Sequence, residues 1–381
     1  MSAAKWRRAM NVRGASAAAL PLRPVPALPA RMDPSQPASP APRWFDWLRG
    51  HVGPHHIVVL VGLLVLPFVA SPFLTYQVAA QSLVLGLIAL SLTFLAGYGG
   101  MVSLAQMTVA GVAGYSLAVL GNSSSAEISL GWPWWLAVPV AVFIAVLAST
   151  LIGWLSVRTE GIYTIMITLA IGVAFYYLVL QNYSVFNGFQ GLRELHPPKL
   201  LGIDWRAAVP FYGLSLACAL AAYGLVVHVV RTPFGIALQG IRDNPRRMSA
   251  LGYSVVAHRV AAYALSGLLA AVGGVLLAWY NALISPGSVG TGWLINILVI
   301  AVLGGMKHPI GPFLGAIAFV LLQTFAIDLI DRERFNLVIG GVFLAIVLFS
   351  PDGLLGLWAR LSSRLRPARA AMRSSNQRRQ P

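Results

Sequence analysis

Long apolar runs separated by short polar breaks dominate the chain. They lie near 57–74, 76–96, 103–120, 133–156, 162–181, 210–230, 259–284, 293–306, 309–328 and 336–350. Apolar runs of about twenty residues predict membrane-spanning helices, because lipid offers no partner to backbone N–H and C=O groups and a helix pairs them internally. The pattern therefore predicts an all-α polytopic membrane protein with about ten crossings. The runs at 57–74, 293–306 and 336–350 have short cores, and 103–120 is so rich in small residues that it reads either as a crossing or as a re-entrant segment.

One internal stretch breaks the pattern: "FGIALQGIRDNPRRMSALGYS", Phe234 to Ser254. Phe234, Leu238 and Ile241 recur at helical spacing and predict a short amphipathic helix over 235–242. Asn244 is a favoured N-cap and Pro245 suits the first helical position, so a second helix is expected to start there and to stop at Gly252. The expected shape is helix, elbow, helix. Arg246 and Arg247 fall in the first turn of the second helix, where the macrodipole disfavours an exposed cation by about 0.3–1 kcal/mol. Lipid phosphate or an acidic groove on a partner would compensate.

Composition agrees with a membrane protein: 57% of the 381 residues are hydrophobic and 10% are charged. The net charge of +16 lies mostly in the tails, 1–55 and 351–381, which reads as flanks against membrane lipid rather than as a nucleic-acid arm. No secretory leader is evident in residues 1–55, which read as a disordered basic extension. With both termini cytoplasmic and ten crossings, 22 of the 27 Lys and Arg residues fall inside and 5 outside, as the positive-inside bias requires. Trp132, Trp134 and Trp135 then sit at the outer end of the fourth span, as an aromatic belt would place them. Cys218 is the single cysteine, so an intrachain disulfide is excluded.

The stretch "GIALQGIRDNPRRMSALGYSVVAHRVAAYALSGLLAAVGGVLL" resembles the cytoplasmic loop and following helix of permease subunits of branched-chain amino acid ABC importers, in particular the M-type of their two paired permeases. "GYGGMVSLAQMTVAGVAGY" from Gly97, "GIYTIMITLA" from Gly161 and "ISPGSVGTGWLINILVIAVLGGMKHPIGPFLGA" from Ile284 resemble three further family segments, in the family's order. The resemblance implies a permease domain over 56–350 with a coupling loop at 231–258. It implies a bacterial inner-membrane location, a second related permease, two ATP-binding subunits that bind ATP and Mg, and a periplasmic solute-binding protein. Within the loop, Gly235, Arg242, Asp243, Asn244, Arg247 and Gly252 are the residues expected to couple to the ATPase. The chain departs from the family pattern at Pro245, at Gln106 where His is common, and at Asn187 of "FNGFQGL", which replaces a glycine.

No cofactor, metal site or catalytic residue is expected in this chain. Its lysines, Lys5, Lys199 and Lys307, fit no GxxxxGK[ST] phosphate loop, its histidines form no HExxH, and no GxSxG occurs. The spans are nearly free of acids, with Glu160 and Asp328 at predicted ends, which argues against a carboxylate-driven secondary carrier. Such a carrier, or a family permease for urea or short amides, is the alternative. Of the neutral polar groups in the spans, Ser103, Gln106 and Thr168 are expected to line the solute pathway, because they lie in family-like segments beside glycines.

Overall fold

The computed structural model describes residues 63, 65–125, 127–159, 161–198, 202, 204–329, 340–341, 344 and 353–356. The chain divides at Ile57/Val58, and the first unit lies outside the described residues. Residues 57–62 and 64 of the first run, most of the run 336–350, most of the C-terminal tail and Glu160 lie outside them as well.

The other eight runs form helices, and the polar stretch between the sixth and seventh runs adds two short ones. In chain order these are α1 (Leu74–Tyr98), α2 (Gln106–Leu120), α3 (Trp134–Ser156), α4 (Ile162–Gln181), α5 (Ala208–Arg231), α6 (Pro233–Asp243), α7 (Pro245–Ala250), α8 (Val255–Asn281), α9 (Thr291–Gly304) and α10 (Gly311–Leu329). The helices α1, α3, α4, α5 and α8 are long and apolar enough to cross a membrane. At about 1.5 Å per residue α2 is only about 22 Å long, short of a bilayer's ~30 Å hydrocarbon core. It is helical from Gln106, so residues 101–105 reach it as a buried non-helical segment.

Burial separates a centre from a rim. The apolar window of α1 is 83% buried, whereas those of α3, α4 and α5 are 33%, 22% and 28% buried. α1 is hydrophobic all round, which suits a helix enclosed by others. α8 packs along α1, α2 and α3. The buried face of α3 is a stripe of small residues, Ala137, Ala141, Ala145, Ser149 and Gly153, recurring every four positions, and Ser149 and Gly153 meet Gly267 and Tyr263 of α8. Ser149 Oγ donates to the Tyr263 carbonyl at 2.7 Å across that contact. Small faces let membrane helices approach closely where no hydrophobic force drives them together. The opposite side of α3 shows Phe143, Leu147 and Leu151, each more than half exposed, a stripe suited to lipid.

The ends of the helices segregate. At one end, a Cβ on Gly97 would abut the Met306 carbonyl, which brings the end of α1 to the loop after α9. At the other, β1 (Leu192–Arg193) pairs antiparallel with β2 (Leu283–Ile284). Ser124 N donates to the Arg193 carbonyl at 3.0 Å and Leu195 N to the Ala282 carbonyl at 3.3 Å. This is the alternation that successive crossings produce.

Close approach gives a test. A Cβ on Gly274 of α8 would press on the Ala110 carbonyl of α2, and backbone cannot rotate away. Gly274→Leu is expected to destabilise by roughly 1–3 kcal/mol, as overpacking does. Gly213→Ala, where a Cβ inside α5 meets open space, is expected to hold stability or raise it by up to about 1 kcal/mol. Thermal unfolding of both variants in detergent reads the difference.

Candidate functional site

The polar stretch folds as helix, elbow, helix. Thr232 caps α6, its Oγ1 accepting from Gly235 N at 3.4 Å, and Pro233 takes the first helical position. α6 therefore begins two residues before the expected 235. Leu238 and Ile241 are fully buried and Phe234 packs against the core, as their spacing predicts. Asn244 leaves the helical region at φ −155° and caps α7, its Oδ1 accepting from Arg247 N at 3.0 Å. Gly252 closes the segment at φ +89°. The elbow is braced at its root, where Phe234 stacks on His258 of α8 with ring centroids 5.7 Å apart. Gln239 Nε2 also donates to the Val230 and Gly235 carbonyls, each at 3.1 Å.

The arginines of the elbow divide into two kinds. Arg246 and Arg247 are exposed. Arg242, itself 38% exposed, reaches back to the body of the protein: its Nη1 donates to the Gly97 carbonyl at the end of α1, while its Nε pairs with Asp243 Oδ1 at 2.9 Å. Gly100, at φ +68°, makes room for this, since a Cβ there would lie 2.6 Å from Arg242 Cγ. Gly99 lies against Leu238 in the same contact. The expected coupling residues are thus brought together, with Gly235 and Arg242 against the body of the protein and Asn244, Arg247 and Gly252 shaping the free tip. The Gly97 carbonyl is a partner that sequence reasoning missed, because the two groups lie 145 residues apart.

Ser103, Gln106 and Thr168 are all buried in the interior, around the non-helical segment that precedes α2. Thr168 Oγ1 accepts from Leu104 N at 3.1 Å and donates to the Thr164 carbonyl at 2.9 Å, which anchors the non-helical segment to α4. Ser103 Oγ accepts from Ala105 N at 3.3 Å. Gln106 Oε1 accepts from Ser91 Oγ of α1 at 2.9 Å and from Ser266 Oγ of α8 at 3.1 Å, and its buried Nε2 has no hydrogen-bond partner. One side chain therefore joins α1, α2 and α8, with one end of its buried amide left without a partner. Ser91 and Ser266 were not among the expected residues.

On the face opposite the elbow, a cavity of about 540 Å³ is lined by Trp132, Trp134, Trp279, Asn122, Glu194 and His196 among others. A smaller one of about 60 Å³, lined by Gln81, Met107, Asn281, Ser288 and Trp293 among others, lies one residue along α2 from Gln106. Asn187, which replaces the family glycine, sits at φ +58°, a region Asn tolerates better than most residues. Its Nδ2 donates to the Gly191 carbonyl at 2.8 Å and holds the loop.

A family model described as "Branched-chain amino acid transport system / permease component" matches residues 74–347. The chain belongs to this permease family. The high-affinity branched-chain amino acid transport system permease protein LivM of Escherichia coli is 27% identical over 323 residues, 78% of this chain and 74% of its own length. A probable LivM permease of Methanocaldococcus jannaschii is 22% identical over 239 residues, 56% of this chain and 68% of that protein. The LivH permease of Escherichia coli is 23% identical over 287 residues, 71% of this chain and 90% of that protein. No solved structure matches significantly. The permease is thus a transport subunit rather than an enzyme, and its M-type resemblance agrees with these relatives.

The permease's buried anchor can be tested. Thr168→Val keeps the shape but leaves the Leu104 amide without its acceptor, and an unsatisfied buried donor costs about 1–3 kcal/mol. Thermal unfolding should show that loss, and Thr168→Ser, which retains the oxygen, should remain near wild type.

Proposed function

We propose that this permease is the M-type membrane subunit of an ATP-binding cassette importer for branched-chain or related amino acids. It crosses the bacterial inner membrane ten times with both termini cytoplasmic, which places the elbow inside, as the positive-inside bias favours. A second related permease completes the pathway. Two separate ATP-binding subunits bind ATP and Mg and hydrolyse the nucleotide. A solute-binding protein delivers the amino acid to the opposite face, where the cavity ringed by Trp132, Trp134 and Trp279 offers it a vestibule.

The observation that carries this reading is the elbow. A short helix pair with a buried apolar face and two exposed arginines at its tip is rigid enough to transmit force and charged enough to dock on an acidic groove. From the vestibule the solute passes the Gln81 and Asn281 cavity and the Ser103, Gln106 and Thr168 cluster. The free Nε2 of Gln106 serves as a hydrogen-bond donor to the solute.

The test is copurification. Tagged wild-type permease should bring down an ATP-binding subunit and a second permease. Arg246→Glu with Arg247→Glu should cut recovery of the ATP-binding subunit by tenfold or more, on the order expected when repulsive charge is set into a complementary interface. Recovery equal to wild type in that variant rejects the docking role.

A further inference from the structure

The elbow and the interior polar cluster are joined through the inner end of α1, by hydrogen bonds at its two sides and the π-helical backbone of 94–98 between them. We propose that Arg242 is a positioning residue that passes displacement of the elbow along this line to Gln106. The proposal rests on the importer reading above and names the internal route of its coupling.

The line begins at Arg242, whose guanidinium caps the Gly97 carbonyl from a helix far away in sequence. Carbonyls at a helix C-terminus lack intrahelical partners and carry the negative end of the dipole, so a cation is the fitting cap. Residues 94–98 form a π-helical turn instead of an α-helical one. The Leu95 carbonyl accepts from both Gly99 N and, at 3.1 Å, Met101 N. Phe94 N is bifurcated between the Leu90 and Ser91 carbonyls, the position where the α-helical register gives way to the π-helical one. The two contacts are i−4 and i−3, a three-centre bond common where an α-helical stretch ends, and the π-helical turn that follows is of the kind found at functional sites within helices. Arg242 holds the far side of that turn.

The near side is Ser91. Its carbonyl accepts from Phe94 N and from Ser266 Oγ, the latter at 2.8 Å, and its hydroxyl lies between the Ile88 carbonyl at 2.6 Å and Gln106 Oε1 at 2.9 Å. Ser266 Oγ also reaches Gln106 Oε1 at 3.1 Å. A change of register at Phe94 alters the load on the Ser91 carbonyl, and with it the geometry of both hydroxyls that hold Gln106. Gly99 and Gly100 supply the close approach that lets the elbow grip this end, since Leu238 and the Arg242 stem occupy the space their side chains would fill. Arg242 therefore works inward, while Arg246 and Arg247 face outward.

The experiment uses the complete complex in proteoliposomes and measures solute taken up per ATP hydrolysed, with subunit recovery alongside. Arg242→Ala should still recover the ATP-binding subunit yet lose uptake per ATP on the order of fivefold or more, within the usual range of inter-site coupling. Arg242→Lys, which keeps a cationic donor, should restore part of that loss. Ser91→Ala should fall in the same direction, and the double variant should be no worse than the poorer single, as residues on one line are non-additive. Losses that multiply in the double variant, or an unchanged ratio in Arg242→Ala, overturn the proposal. Should Arg242→Ala fail to insert, Ser91→Ala alone decides: a wild-type ratio there rejects the route. A wild-type complex that neither recovers an ATP-binding subunit nor hydrolyses ATP contradicts the importer reading itself.

Discussion

A helix that stops within or at the edge of a bilayer leaves carbonyls and amides that lipid cannot satisfy, and the protein must supply each partner from its own chain. Here α1 ends at Tyr98 and α2 starts only at Gln106. Thr168 answers the amide of Leu104, and Arg242 answers the carbonyl of Gly97. Both partners lie on other helices, so the backbone requirement of one break ties together α1, α4 and the elbow. The break is thus also a junction.

From that junction the functional layout follows. Buried α1 is the axis, and α3, α4 and α5 form a rim whose outward side chains suit lipid. One end of the bundle carries the elbow with its exposed arginines, and the other carries the β1–β2 pairing and the tryptophan-lined cavity. Gln106 lies between them, held by hydroxyls from α1 and α8. On the proposed reading the elbow is the mechanical input, the tryptophan-lined cavity the solute entrance, and the polar cluster the path between them.

Much of this was legible in the sequence because the relevant signals are local. Apolar run length placed eight described helices to within a few residues, and Asn244, Pro245 and Gly252 marked α7 through capping rules that act over three or four residues. The earlier start of α6 was also written locally, in Thr232 followed by Pro233. What stayed hidden is what depends on distance. Nothing near Arg242 says that its side chain turns to Gly97, and nothing near Gln106 points to Ser91 or Ser266. The π-helical turns of α1 escaped because a continuous apolar run carries no mark of a change in hydrogen-bond register. Asn187, a departure from the family pattern, stands in the left-handed backbone region that glycine favours.

The central claim is that this membrane bundle imports solute only when force reaches its elbow from partner subunits. Its most direct test is uptake of a radiolabelled branched-chain amino acid into proteoliposomes, comparing the purified chain alone with the chain plus its second permease, ATP-binding subunits and solute-binding protein. The account predicts accumulation against a gradient only in the full assembly supplied with ATP and Mg on the elbow side. Accumulation by the isolated chain in response to a proton or sodium gradient would contradict it.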